Sequence, residues 1–345
     1  MNFCLKKIWF GLLTFSLSCS GFSAAPSHRF YQNSLTLGAK IVFGKSFVKH
    51  SWLYGEGGTV KKQYEWLDEP LSQSEFEAKF TPISHERAVD IYYITGVLQF
   101  LFEKHHIQSL PVGGTLLGML RNQGLLPHDD DADFAVVPRD YKKVKNLKVE
   151  LAQYGLGLRS ASGVGLQVYP LAGRINGSNG GRTTLGLNFI AFANTVVGLL
   201  PSVFQGLKCN LTKRGFVDIM PIKKHLDGVY RYSAVFAEGN WFHDFLSEAF
   251  VEEDLRYYDF GPLKVRAPVR ELSTKFILRS YPHSLTHAQR TVDHQTNSRP
   301  DPILVPLTEE QKQAFPLNGD DRRELNNRFA RAGLALSEDG FVTVL

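Results

Sequence analysis

Four aspartates crowd the segment 124–137, GLLPHDDDADFAVV, immediately before an apolar run. In a strand that starts at Asp129, alternate side chains share a face, so Asp129, Asp131 and Asp133 project together while Asp130 projects to the other side. Carboxylates at this spacing repel one another, and each has a raised pKa unless a cation lies among them. Oxygen ligands suit Mg²⁺ or Mn²⁺, commonly with substrate phosphate in the coordination shell. The run therefore predicts a divalent-metal site.

The acidic run has two other interpretations besides a metal site. A solvated acidic turn is a common alternative for such a run of charge. A calcium loop of the EF-hand type is disfavoured, because Phe134 stands at the sixth position, where that loop needs glycine for its sharp turn. The strand-like FAVV that follows also disagrees with a helix-loop-helix setting.

A glycine pair precedes the acidic run, in the segment LPVGGTLLGMLRNQG. The pattern predicts the end of a strand at Val112, a turn at Gly113 and Gly114, and a helix over Thr115 to Arg121. Backbone N–H groups and the dipole at such a helix start attract phosphate. A tight strand-to-helix connection would explain the glycines equally well.

A third segment, GFVDIMPI over 215–222, is a short apolar strand with one carboxylate, Asp218. A lone aspartate in an apolar strand is costly unless it is paired or bound to a metal. The order along the chain is a glycine turn with a helix, then an acidic D-x-D strand, then another acidic strand. This order resembles the pattern of the polymerase-β-like nucleotidyltransferase superfamily.

The combined motif narrows the resemblance from this superfamily to one of its families. Residues 113–137 followed by FVDIMPI resemble the LicD family, which includes fukutin and fukutin-related proteins, and the likeness covers 86–222. The later GPLKVRAPVRELSTKFILRSYP is similar to the family's closing segment. Two departures are His128, where members often have Trp, and Ala132, where they often have a branched apolar residue. The fold that this resemblance implies is α/β (α+β), a nucleotidyltransferase-like mixed sheet with flanking helices and with extensions at both ends.

What the resemblance implies is a transferase. LicD-like enzymes move a phospho-alcohol, such as phosphocholine or ribitol phosphate, from a cytidine diphosphate (CDP) carrier to a glycan, here a lipopolysaccharide, teichoic acid or glycoprotein sugar. Phosphoryl transfer of this kind needs positioning and charge neutralisation more than covalent catalysis. The implied roles are metal binding by Asp129, Asp131, Asp133 and Asp218 (the last as ligand or as base for the acceptor hydroxyl), donor phosphate binding by Gly113, Gly114 and Thr115, a donor-pocket position for His128, and charge neutralisation by Arg121.

Two rival functions stay open at this point. One is a nucleotidyltransferase that moves the nucleoside monophosphate itself, and the other is an exported glycan-binding protein that keeps the fold without catalysis. Outside the motif, Lys275 and Arg279 lie four apart on a predicted helix and form either a phosphate contact or a solvated basic edge. His243 and Asp244 form either an acid/base pair or part of a loop.

The bulk composition sets limits on the partners. The chain has 345 residues and a formal net charge of +5 at pH 7, with 43% hydrophobic and 21% charged residues. This is the composition of a globular protein with a sizeable core. The positive balance is too mild to predict nucleic-acid binding, although it suits a local phosphate site. We therefore expect no nucleic-acid partner.

The chain divides into four predicted segments. Residues 1–25 have the basic, apolar and small-residue order of a signal peptide, which predicts export to the periplasm, the outside or a secretory lumen. An uncleaved membrane anchor over 8–25 is the alternative. An N-terminal extension over 26–80, a catalytic domain over 81–282, and a C-terminal extension over 283–345 that opens with a polar linker complete the prediction.

Helical patterns predict the elements around the motif. Ser84 is a fair N-cap for a helix that runs to His106 and has apolar residues along one face. A charged helix is predicted over 140–155 and another over 320–336. The last residues, 340–345, are strand-like.

Overall fold

A computed structural model describes the chain over 65–161, 164–171, 214–234, 244–290 and 303–345. All of these residues belong to one compact unit, Lys61–Leu345. The predicted signal segment 1–25, the predicted extension up to residue 64, and His243 lie outside the described residues. No helix among the described residues combines the length and the apolar character needed to cross a bilayer.

The described elements are eight helices and thirteen strands. The helices are α1 (Gln73–Lys79), α2 (His85–Lys104), α3 (Gly113–Arg121), α4 (Pro138–Asn146), α5 (Lys148–Gln153), α6 (Glu248–Glu252), α7 (Arg270–Ser280) and α8 (Gly319–Arg331). The strands are β1 (Glu65–Trp66), β2 (Ser109–Pro111), β3 (Asp131–Val136), β4 (Leu156–Ala161), β5 (Gly165–Pro170), β6 (Phe216–Lys224), β7 (Tyr230–Tyr232), β8 (Arg256–Phe260), β9 (Leu263–Ala267), β10 (His287–Arg290), β11 (Ile303–Pro306), β12 (Leu334–Leu336) and β13 (Val342–Val344).

The centre of the fold is a six-stranded mixed sheet. Its strand order is β2-β3-β6-β5-β4, and β7 pairs with β6 beyond this path. β3 and β6 run parallel, and the other pairs of the sheet are antiparallel. One face carries the apolar side chains of β3 and β6, such as Phe134, Val217 and Ile219, which are fully buried. The predicted class, a mixed sheet with flanking helices, is confirmed.

Helix α2 is the main layer on the apolar face. It packs against β3, β5 and β6, and on its other sides against β9, β13 and α8. This enclosure buries most of its length, including Tyr92 and Phe102, rather than the single face that its spacing predicted. The predicted N-cap is confirmed, because the Ser84 side chain accepts a hydrogen bond from the backbone N–H of Arg87.

The C-terminal helix is fastened to this layer by packing and by charge. A Cβ atom at Gly96 of α2 would lie 2.6 Å from the Phe329 ring of α8, so only glycine admits that ring. The carboxylate of Asp90, which is fully buried, pairs with Arg214 (Nε–Oδ2 2.6 Å) and with Arg328 of α8 (Nη1–Oδ1 2.5 Å). One buried carboxylate thus joins α2, the entry to β6 and α8.

Smaller sheets lie around the centre. β1, β11 and β10 form a three-stranded sheet, while β8 with β9 and β12 with β13 are antiparallel pairs. Helix α1 covers the three-stranded sheet, where a second small core gathers Phe76, Phe80, Ala288 and Val305.

Several local predictions differ from the structure. The predicted charged helix is two helices, α4 and α5, which meet at Leu147. The end of the predicted C-terminal helix is instead strand β12, because Gly333 with a φ of +71° ends the helical segment. Within the predicted polar linker, residues 287–290 form β10 by pairing with β11. The final strand is confirmed as β13.

Candidate metal centre

Three carboxylates converge where β3 and β6 lie side by side. The pairing register places Asp133 directly opposite Asp218, and Asp131 lies two residues earlier on β3, on the same face of the sheet. Asp131, Asp133 and Asp218 can each offer one oxygen, and these oxygens lie within 4.8 Å of one another. The structure thus brings Asp218 to the two aspartates of β3, from which it is far apart in the sequence.

A second group of carboxylates shares one member with the first. Asp129, Asp130 and Asp131 also offer oxygens within 4.8 Å of one another. The expectation that Asp130 projects away from this group is wrong, because β3 begins only at Asp131 and strand alternation does not extend upstream of it. Asp130 also lies 3.5 Å from the Arg87 guanidinium of α2, and both of these side chains are largely buried.

Electrostatic repulsion is built into this arrangement. Burial, followed by the charges of Asp133, Asp129, Asp130 and Asp218, raises the pKa of Asp131 well above its ordinary value. Burial also raises the pKa of Asp218 to about 6, against an opposing hydrogen bond from Gln167. A divalent cation relieves such a cluster, and carboxylate oxygens are the ligands that Mg²⁺ and Mn²⁺ prefer. The donor set therefore fits a divalent metal.

Gly113 and Gly114, predicted as a turn before the helix, are instead the first two residues of α3, and they make room for the carboxylates. Gly113 has a φ of +56°, a left-handed conformation that favours glycine, and a Cβ atom there would lie 3.2 Å from Asp133 Oδ2. A Cβ atom at Gly114 would lie 2.0 Å from Asp129 Oδ2. A carboxylate oxygen thus lies against the first turn of α3, where the helix dipole favours negative charge. The glycines therefore lie directly beside the acidic run, and their contact with donor phosphate stays a prediction.

Thr115 holds the strand that carries the cluster. Its hydroxyl oxygen accepts a hydrogen bond from the backbone N–H of Asp133 (2.7 Å), and the residue is 1% exposed. The structure therefore places Thr115 against the backbone of β3. Its contact with donor phosphate, implied by the family resemblance, stays a prediction.

Arg121 lies at the far end of α3 from the glycines. Its guanidinium donates to the backbone carbonyls of Ser284 (2.7 Å) and His287 (3.2 Å) and to the side chain of Asn122. Burial lowers its pKa to about 10, so it remains charged at neutral pH. Because α3 rises about 1.5 Å per residue, Arg121 is roughly 12 Å along the axis from Gly113. Its role at the transferring group stays a prediction.

The other predicted positions are spread around the site. The ring of His128 packs against Phe80, with centroids 5.3 Å apart. Lys275 pairs with Glu271 (2.6 Å) on an exposed face of α7, as expected for a solvated basic edge. Arg279 stacks on the Phe245 ring at 3.7 Å. Asp244 is buried at 3% exposure, and the Tyr281 hydroxyl donates to its Oδ2 at 3.5 Å.

Two polar residues near Asp218 belong to the site although no sequence pattern indicates this. Gln167 Nε2 donates to Asp218 Oδ1 (2.9 Å), and Gln167 Oε1 accepts from the Arg159 guanidinium (Nε, 2.8 Å). Period-2 alternation in GLGLRSASGVGLQVYP assigns each of the two residues to one side of its own strand, but it does not say which residues of the neighbouring strands they meet. Their meeting with Asp218 depends on the registers of β4, β5 and β6, which the sequence does not show.

Comparison with known proteins bears on this site directly. Residues 106–164 match the protein-family model described as LicD/FKTN/FKRP, nucleotidyltransferase domain. This segment of the chain is therefore similar in sequence to the LicD family. The resemblance seen in the motif is confirmed over this segment, which contains α3 with its two glycines, the acidic run and β3, and which ends before the strand of Asp218.

Two curated relatives add to the comparison. The chain is 30% identical over 121 residues to an uncharacterised protein of Rickettsia prowazekii, which is 35% of this chain and 40% of that protein. It is 30% identical over 97 residues to an uncharacterised protein of Rickettsia typhi, which is 28% of this chain and 31% of that protein. The chain therefore spans less than half the length of either relative in these matches.

Proposed function

We propose that this protein is a metal-dependent transferase that moves a phospho-alcohol from a CDP-linked donor to a glycan. The observation that carries the proposal is the convergence of Asp131, Asp133 and Asp218 beside a glycine-opened helix start. The family match supports the nucleotidyltransferase type of domain. The phospho-alcohol, the CDP carrier and the glycan come from the LicD resemblance.

The chemistry assigned to the site is phosphoryl transfer. Asp131, Asp133 and Asp218 would hold Mg²⁺ or Mn²⁺, which supplies neutralisation of the charge on the donor diphosphate. In the reaction, the bond between the alcohol phosphate and cytidine monophosphate breaks. A bond from that phosphorus to a glycan hydroxyl forms, and the hydroxyl proton leaves to a base. Asp218, with its pKa raised to about 6, is the candidate base if it is not a ligand.

The location of the protein is part of the proposal. The N-terminal pattern of residues 1–25 supports export, with an anchor over 8–25 as the alternative. The acceptor is then a glycan met in the periplasm, outside the cell or in a secretory lumen. N-terminal sequencing of the exported protein tests this, with a mature end near Pro26 expected and Met1 on membrane-bound material contradicting it.

The decisive experiment identifies the product. The purified chain is incubated with Mg²⁺, a panel of CDP-alcohols and a glycan panel, and the acceptor is weighed by mass spectrometry. Gain of the phospho-alcohol mass with release of cytidine monophosphate supports the proposal. Gain of the cytidylyl mass would favour the rival nucleotidyltransferase, and an unmodified acceptor across the panels would favour the glycan-binding protein. Asp133→Asn serves as the inactive control.

A further inference from the structure

A row of polar side chains crosses four neighbouring strands of the central sheet. In the strand registers, Arg159 of β4 is the partner of Gln167 of β5, which is the partner of Asp218 of β6, which is the partner of Asp133 of β3. Residues paired in register project to the same face of a sheet. The metal cluster is therefore the end of a longer polar row rather than an isolated patch.

Hydrogen bonds run in one direction along this row. Arg159 donates from Nε (2.8 Å) and also from Nη2 to Gln167 Oε1, and Gln167 Nε2 donates to Asp218 Oδ1 (2.9 Å). Arginine has only donors, and an ionised carboxylate has only acceptors. A reversed Gln167 amide would place its NH₂ group against the guanidinium and its oxygen against the carboxylate. The two neighbours thus fix the orientation of the amide.

We infer that Gln167 is a positioning residue for Asp218 and that Arg159 acts through Gln167 by fixing its amide. This inference rests on the proposed metal site and deepens it. Gln167 and Asp218 are 8% and 7% exposed, so bulk water does not replace their hydrogen bond. Because β5 and β3 flank β6 on opposite sides, the bond from Gln167 draws Oδ1 toward β5 and leaves Oδ2 for the cluster.

The inference predicts a defined change in metal affinity. Outer-shell partners of metal-binding carboxylates typically contribute 10- to 100-fold to affinity. Gln167→Met keeps the length of the side chain and removes both hydrogen bonds, so it should weaken Mn²⁺ binding about ten-fold. Arg159→Met should weaken it by a smaller factor, and Arg159→Lys, which still offers only donors, should restore most of the affinity.

The test is a double-mutant cycle with Mn²⁺ alone as the probe, on the full chain, by calorimetry or electron paramagnetic resonance. If Arg159 acts through Gln167, Arg159→Met should cause no further loss in the Gln167→Met background. Gln108→Met is the matched control, since Gln108 also donates through its amide, to the Val251 carbonyl (2.5 Å). That variant should bind Mn²⁺ as the wild type does.

Several outcomes would overturn the inference. They are equal Mn²⁺ affinity in the wild type and Gln167→Met, an equal loss from Arg159→Met in both backgrounds, and a loss in Gln108→Met as large as in Gln167→Met. If Gln167→Met does not fold, the comparison of Arg159→Met with Arg159→Lys decides instead, and equal affinities there count against it. Mn²⁺ affinity is measured separately from turnover. If phospho-alcohol transfer fails while the variants change Mn²⁺ affinity as expected, only the proposed function is contradicted.

Discussion

Asp133 and Asp218 face each other as register partners on β3 and β6, the parallel pair among the described strands of the central sheet. Adjacent strands lie about 4.8 Å apart, so the backbone ladder holds the two carboxylates close to each other. Neither residue can leave this arrangement without a shift of register, which would move its side chain to the apolar face. The pair therefore provides a rigid base for the proposed metal site.

Asp131→Asn should weaken metal binding without lowering the stability of the metal-free protein. Mn²⁺ at about 100 times its dissociation constant should stabilise the wild type by about 2.7 kcal/mol, and the variant should lose most of this gain and its turnover. Without metal, the variant should be at least as stable as the wild type, because the substitution removes one charge from a repelling cluster. Thermal unfolding with and without Mn²⁺ measures both effects. Asp254→Asn, at an exposed position, is the control, and equal Mn²⁺ stabilisation of Asp131→Asn would contradict the assignment.

Gly114→Ala should destabilise the protein by a steric clash between the first turn of α3 and the Asp129 carboxylate. The new Cβ atom would lie 2.0 Å from Asp129 Oδ2, so the carboxylate or the first turn of α3 must move. We expect a loss of about 1–3 kcal/mol in the free energy of unfolding. Urea denaturation measures it. Gly319→Ala is the matched control, because Gly319 also lies in the first turn of a helix, α8, and has no neighbour within 4 Å of the added atom. Similar effects of the two substitutions would refute the steric explanation.

Asp90→Asn should destabilise the fold strongly. The substitution leaves Arg214 and Arg328 facing a neutral group at a position with no solvent exposure. Breaking a buried ion pair on one side costs about 3–5 kcal/mol. Glu324→Gln, which removes a more exposed partner of Arg328, should cost less than about 1 kcal/mol. Denaturant unfolding of both variants makes the comparison, and a near-neutral Asp90→Asn would show that the buried network contributes little to stability.

Asp244 should make stability depend on pH. Burial raises its pKa from 3.8 to about 6, so the folded state binds this proton more tightly than the unfolded state. The resulting stabilisation is complete below pH 3.8 and is lost as the pH rises through about 6; it amounts to roughly 3 kcal/mol. Asp244→Asn should lack this loss, so its stability relative to the wild type should be higher at pH 7.5 than at pH 5. Urea unfolding at both pH values is the measurement, and a pH-independent difference between the proteins would contradict the prediction.

The parts of the site that follow from local pattern could be predicted from the sequence. Strand alternation places Asp131 and Asp133 on one face, and the apolar segment around Asp218 forms the strand it predicts. The pattern also predicts the helix through Arg121, although the helix begins at Gly113, two residues before the predicted start. These features depend on the periodicity of a few consecutive residues, which is readable without knowledge of the tertiary structure.

The parts that depend on register and on helix–strand packing could not be predicted. The alternation pattern predicts the wrong side for Asp130, because the first residue of β3 is set by its pairing with β6 rather than by the charge run. Gln167 and Arg159 are ordinary polar residues until two strand registers align them with Asp218. Arg121 is close in sequence to the acidic run, yet the length of α3 carries its guanidinium to the opposite end of the helix.

The parallel pairing of β3 and β6 also has a consequence for how the protein is made. A parallel pair requires a crossover, and here the connection includes the β4–β5 hairpin, so β6 is synthesised long after β3. The emerging chain therefore carries its acidic strand before Asp218 exists to complete the cluster. Contacts of such high sequence separation form slowly. We expect the ability to capture metal to appear late in refolding, together with closure of the β3–β6 ladder, and a fragment that ends at residue 164 to lack it.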